Sequence, residues 1–356
     1  MAENPSQPLN LKAGEWIEVR SREEILATLN ESGRLENLPF MPEMFRFCGQ
    51  RFRVSKRSDK TCDNIQAWSI RRMERAVHLD GARCDGAEHG GCQAGCLIFW
   101  KEEWLKRDGT SPEAARSGVS VGKHPVEGRP CTVRSVFAAS QTGNQDGETI
   151  YSCQATELRN FTSYMPWWDP RQYIRDLRSG NLKNGVSGDS LSDRILELML
   201  GVLQILRAFV ISVFNDQRHL GYPSTSGTLV KTSAETLDLQ PGEIVQVRSK
   251  EEIIATLDKQ SRNRGLLFDG EMLPYCGGIY RVLRRVNRII DEKTGKMMNM
   301  KHPCIVLEGV VCKADYHRLC PRAIYSYWRE NWLRRVSSSA LRGSQHEREV
   351  ETFERS

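Results

Sequence analysis

The chain repeats itself, and no other feature limits its fold as strongly. Gly14 to Leu29 and Gly242 to Leu257 match at eleven of sixteen positions. The same offset of 228 residues carries Glu43-Met44 onto Glu271-Met272, Cys48-Gly49 onto Cys276-Gly277 and Arg53-Val54 onto Arg281-Val282, and it runs without a gap as far as Arg107 and Arg335. Self-similarity of this length means a duplicated structural unit. It gives a first module over 13–107, a second over 241–336, and a unique segment over 108–225 between them.

Each module opens on alternating apolar and polar residues, the signature of a half-buried strand. In the first, Ser21 and Glu24 have the spacing of a capping box, so a helix is predicted from Arg22 to Leu29 with Ile25, Leu26 and Leu29 on one face. Arg51 to Arg57 alternates again. Short strands, tight turns and one small helix predict an α+β fold: tandem small β-barrels of SH3-like type, joined by a helical insert.

The unique segment starts with a Gly/Ser/Pro-rich loop, Asp108 to Gly128. Thr132–Phe137 and Thr149–Tyr151 are predicted to pair as strands around the polar turn from Thr142 to Gly147. Asp169-Pro170 is a helix start, and Gly180 is its stop. Ile195 to Phe214 is the most apolar run in the chain. Glu197, Gly201, Gln204 and Ala208 mark a narrow stripe at helical spacing, and Leu, Ile, Val, Met and Phe make up most of the rest. A helix apolar around most of its circumference is expected to be buried. Packing between the modules is the first reading and a homodimer seam through 195–214 the second. Membrane association is the third and least favoured reading, and a full span is disfavoured because Glu197 and Arg207 would each cost roughly a few kcal/mol in hydrocarbon.

Cysteine and histidine recur together. Cys84, His89 and Cys92 return as Cys312, His317 and Cys320, while the intervening Asp85-Gly86-Ala87-Glu88 becomes Lys313-Ala314-Asp315-Tyr316. Thiolate and imidazole are the donors that zinc prefers, and iron takes them too. In the first copy Cys62, Cys84, His89, Cys92 and Cys96 offer five donors, and Gly86, Gly90 and Gly91 let the loop bend around one point. A helix running into Trp100 would put Cys92 and Cys96 on one face. The second copy has Ile290 where Cys62 stood and Ile324 where Cys96 stood, and it gains Cys304. Its candidate set is Cys304, Cys312, His317 and Cys320. The expected cofactor is Zn²⁺, with iron as the alternative. His89 is also the candidate general acid or base, and His78, absent from the second copy, is a weaker one. Trp100 and Trp104, repeated as Trp328 and Trp332, read as core anchors in preference to a stacking platform for a base or sugar.

Eleven cysteines behind a polar start, Met1 to Pro5, with no apolar leader, point to a reducing cytoplasm and to metal or catalysis over disulfides. The chain carries 51 basic and 45 acidic residues, too balanced to demand nucleic acid. The basic strands Arg51–Arg57 and Arg281–Arg288 leave single-stranded nucleic acid as a third reading. No nucleotide-binding loop, dinucleotide fingerprint, HExxH or GxSxG occurs, so the common cofactor folds find no support.

The strings LPFMPEMFRFCG from Leu38, CDGAEHGGCQAGCLIFWKEEWL from Cys84 and CPRAIYSYWRENWL from Cys320 resemble a bacterial family of duplicated Cys/His-containing proteins with no assigned activity. The resemblance implies a bacterial cytoplasmic protein and carries no catalytic residue with it. The leading expectation is a zinc-binding accessory or interaction protein with an unidentified protein or small-molecule partner. A metalloenzyme acting on a small molecule through the first-copy site is the alternative.

Overall fold

Alternation makes the first strand. In Trp16–Val19, Ile17 and Val19 are fully buried while Trp16 stays exposed. The computed structural model describes residues 8–66, 69–107, 130–143, 147–182, 191–218, 225–232 and 235–336. By internal contacts the chain divides into two units. The first is Met1–Tyr222 with Arg288–Asn299 and Lys313–Ile324, and the second is Pro223–Asn287, Met300–Cys312 and Tyr325–Ser356. These boundaries do not follow the sequence copies: two short pieces of the second copy are counted with the first unit.

The first unit holds a five-stranded antiparallel sheet in the order Trp100–Lys101, Ala76–Leu79, Arg51–Arg57, Trp16–Val19, Leu105–Arg107. Its two edge strands are joined by a single 3₁₀ turn, Glu102–Trp104. Four strand spacings of a flat sheet cover ~19 Å, which three residues of tight turn cannot bridge. The sheet therefore curls until its edges approach. The Ser21 side chain accepts from the Glu24 amide and the Glu24 carboxylate accepts from the Ser21 amide, so Arg22–Leu26 starts on a complete capping box. Ile25 and Leu29 then enter the core.

Trp100 and Trp104 fill that core. Both are fully buried, edge to face, with ring centroids 6.5 Å apart, and Phe40 packs on both. They lie on a strand and a 3₁₀ turn. Between them, buried Glu102 accepts from the amides of Asn10 and Leu11 and from Arg57 at 2.7 Å. A carboxylate is tolerated there because each oxygen meets a donor.

The second unit repeats the device. Its sheet runs Met297–Leu307, Ile279–Ile290, Ile244–Val247, Leu333–Arg335. Trp328 and Trp332 are buried with centroids 6.4 Å apart. Glu330 accepts from the amides of Leu237, Asp238 and Leu239 and from Arg285. Both units are thus α+β, built on curled antiparallel sheets.

The unique segment departs from expectation in two places. Thr132 does not begin a strand; its hydroxyl caps the helix Val133–Ala139, and the strand that pairs with Thr149–Tyr151 is Gln141–Gly143. Apolar residues at Val133, Val136 and Phe137 fit a helix face as well as a strand, and the Thr132 cap decides between them. The helix after Asp169 forms as expected, over Pro170–Arg178 with Asp169 as its cap.

The second departure is the apolar helix. It spans Leu191–Arg218, and its stretch Ser192–Val213 is long and apolar enough to cross a membrane, yet only 17% of its most apolar window is buried. The expectation of burial between the modules is overturned. The narrow stripe faces the protein: Gly201, Ala208 and Ser212 are buried, and a Cβ on Gly201 would meet the Leu177 side chain at 2.8 Å. Small residues permit that close approach, so the thin side packs and the broad apolar side faces outward.

Candidate metal centre

The Cys84–Cys96 loop is folded by its own backbone. The Cys84 amide donates to the Cys96 carbonyl at 2.9 Å, His89 and Gly91 donate to Gly86, and Cys92 donates to His89. Gly86 and Gly90 are required here. Both have positive φ, and a Cβ would meet the Cys92 carbonyl oxygen at 2.0 Å and the Tyr151 hydroxyl at 2.2 Å respectively. Residues 92–99 are irregular apart from a bridge at Leu97, without the helix expected between Cys92 and Trp100.

Three donors come together. Glu43 on the 3₁₀ helix Pro42–Phe47, Cys84 and His89 have ligand atoms all within 4.8 Å of one another. His89 Nδ1 lies 2.6 Å from Glu43 Oε1, and Nε2 lies 3.1 Å from the Ser152 carbonyl oxygen. A carboxylate and a carbonyl both accept, so both ring nitrogens carry hydrogens and the ring is cationic. Burial works against that charge, but the hydrogen bond and charge of Glu43, with the Ser152 carbonyl, outweigh it and raise the His89 pKa. Burial likewise opposes the Glu43 charge, and His89 outweighs it, holding the carboxyl below its ordinary value. To bind a metal, His89 must release one of these partners.

A cavity of about 40 Å³ adjoins this pair. Cys84, Cys92, Cys96 and Cys153 all line it, with His89, Glu292 and Arg322. Burial pushes the Cys84 thiol well up, Cys96 to about 12 and Cys153 to about 11. Arg322 is buried, donates to Glu292 at 3.0 Å, and opposes the rise at Cys96. Such thiols stay protonated until a cation replaces the proton.

The other expected donors do not line this pocket. The Cys62 amide donates to Cys320 Sγ at 3.0 Å, so these two belong together in the first unit. Burial would raise the Cys320 thiol, but its hydrogen bond with Cys62, backbone donors and Arg322 bring it down to about 6. By internal contacts His317 is grouped with the first unit, and Cys304 and Cys312 with the second. Buried Cys304 accepts from Arg329 at 3.4 Å, and Arg329 spends its other donors on the carbonyls of Asn263, Arg264 and His302. His78 is fully buried with Nδ1 2.8 Å from the Ile98 carbonyl; burial drives its pKa down to about 3, and it stays neutral in the core.

Glu43, Cys153 and Arg322 were not among the sequence candidates. Glu43 was flagged by its repeat at Glu271, but an acid in a run of Met, Pro and Phe reads as packing. Cys153 lies in the unique segment, where no repeat marks it. Gln154 places it: its amide donates to the Pro39 and Phe99 carbonyls, and its oxygen accepts from the Phe99 amide. No family model matches the chain, and no curated protein or solved structure matches it.

Proposed function

We propose that the protein is a metal-binding protein whose working centre is the cysteine pocket of the first unit. The observation that supports this most is the convergence of Cys84, Cys92, Cys96 and Cys153 on one cavity from two loops far apart in sequence. Borderline-soft ions, zinc or iron, suit such a donor set. His89 and Glu43 support the centre from beside it, and Arg322 supplies positive charge against the thiolates. No disulfide joins the eleven cysteines, all of them among the described residues, and this suits a reducing, cytoplasmic location. The fold is read as a tandem of small SH3-like barrels, with the first copy carrying the working site. The protein is read as an accessory or interaction protein, because a centre held entirely by thiols keeps no open position for substrate. Elemental analysis of the purified chain tests the proposal. Bound zinc or iron that Cys84→Ser removes is the expected result; a metal-free protein with normal stability would refute it.

A further inference from the structure

Four sulfurs around one cavity can serve a single ion or a cluster, and their spacing separates the two. A tetrahedral zinc ion with Zn–S bonds of ~2.3 Å draws its sulfurs to within ~4 Å of one another. Among the described residues no three of the Cys84, Cys92, Cys96 and Cys153 sulfurs lie within 4.8 Å of each other. An iron–sulfur cluster spreads its four thiolates over several irons, one or two to each, so no three need share an ion. In the compact trio beside this pocket, Glu43, Cys84 and His89, acceptors engage both nitrogens of His89.

The surroundings also suit a thiolate cluster. Hydrogen bonds to sulfur help to set such centres. The Ile290 amide donates to Cys92 Sγ at 3.3 Å, the Gly86 backbone bonds to Cys84, and those of Ala155 and Thr156 bond to Cys153. Buried Arg322 stands in the wall against the negative charge of four thiolates. We propose that this pocket binds an iron–sulfur cluster through Cys84, Cys92, Cys96 and Cys153. The proposal rests on the metal-centre reading above and names its cofactor.

The test is anaerobic purification of the full chain, followed by iron, zinc and acid-labile sulfide assays and an absorption spectrum. Iron and sulfide in equal numbers, about two or four of each per chain, is the expected outcome. Zinc, or iron without sulfide, overturns the cluster and leaves the metal centre standing; a chain free of metal overturns both. Cys153→Ser is expected to lower the sulfide content at least tenfold with the circular dichroism unchanged. Cys131→Ser, a buried thiol that does not line the pocket, is expected to keep it. Full iron and sulfide in Cys153→Ser would overturn the ligand assignment. Should Cys153→Ser not fold, Cys92→Ser at a half-buried position carries the same comparison.

The outward face of the Leu191–Arg218 helix carries a second, independent inference. Leu198, Met199, Val202, Leu203, Leu206 and Val210 are all exposed. The helix lies against Pro170–Arg178, where Gly201 meets Leu177 and the Phe209 ring sits 5.6 Å from Trp167. That neighbour presents Arg171, Arg175 and Arg178 around a shallow pocket shared with Arg72, and Tyr164 and Trp168 are each 63% exposed. An apolar helix face beside a basic cluster and exposed aromatics matches the surface of an anionic bilayer. A twofold dimer through the same face would bring two copies of the arginine cluster towards one seam. Packing through Gly201, Ala208 and Ser212 holds the helix along the protein, so it lies in the membrane plane. We infer that this face docks on anionic lipid.

Vesicle flotation of the full protein tests this, using phosphatidylcholine alone and phosphatidylcholine with one-quarter phosphatidylglycerol. Binding to the anionic vesicles that weakens in high salt is expected. Val202→Asp with Leu206→Asp should reduce it at least tenfold, and Arg175→Glu with Arg178→Glu several-fold. Absence of vesicle binding overturns the inference, and a concentration-dependent dimer by light scattering would then assign the face to a second copy.

Discussion

The two units share their supports and differ in what those supports hold. Glu102 and Glu330 each anchor the strand-entry amides and one arginine, Arg57 or Arg285. Trp104 donates from Nε1 to Thr28 Oγ1 at 3.1 Å, and Trp332 to Thr256 at 2.9 Å. Around these matched parts the chemistry diverges. The first unit gathers four thiols on one pocket, one of them from outside the repeat. The second holds Cys304 under an arginine that has spent its donors on carbonyls. Duplication thus preserved the interactions that fold each unit, while the pocket needed Cys153 from the insert and Arg322 from the second copy. A site assembled from three regions of sequence cannot be copied by repeating one of them.

The largest expected effect separates the units by metal. Cys84→Ser should lose at least nine-tenths of the bound metal, and chelation of the wild type should lower its melting temperature by about 10 °C or more. Cys304→Ser should leave the metal content unchanged. Equal losses from both variants, measured by elemental analysis, would break the comparison.

Glu43→Gln comes next. It leaves a buried imidazolium without its counter-charge and should cost about 3–5 kcal/mol in urea unfolding. The pair also fixes a pH window. His89 has a raised pKa, so its contribution is complete below the ordinary value of 6.5 and is lost as pH rises through its folded value. Glu43 has a lowered pKa, so its contribution is complete above 4.5 and is lost as pH falls through its folded value. The pair therefore stabilises most between these two ordinary values. Glu43→Gln should remove that maximum from a plot of stability against pH; an unchanged plot would count against the charged pair.

The shared supports should respond alike. Glu102→Ala and Glu330→Ala strip buried amides and an arginine of the same acceptor, and each should cost about 2–3 kcal/mol. A difference above roughly 1 kcal/mol between them would show that the supports are not equivalent. Thr28→Val and Thr256→Val should each cost about 1 kcal/mol, through the lost indole hydrogen bond. Both comparisons are read from denaturant midpoints.

Much of the scaffold was legible in the chain itself. The repeat, the capping box at Ser21, the strands at both module entries and the helix after Asp169 follow from local patterns that act over a few residues. The Trp pairs were recognisable as core, but not as strand and 3₁₀ turn, because a spacing of four does not distinguish a helix from a tight corner. The Cys84–Cys96 loop stood out through its recurrence. Its partners did not: Glu43 and Cys153 reach it by chain reversal, which leaves no periodic trace.

The sequence alone determined the repeat and the recurrence of its cysteines and histidines, because both are written in identities at fixed offsets. Only the tertiary structure decided which thiols meet, that His89 is locked between two acceptors, and that the apolar helix turns its broad face outward. Those outcomes depend on distances between residues remote in the chain. They depend too on one close contact, Gly201 on Leu177, which selects the narrow side of the helix for packing.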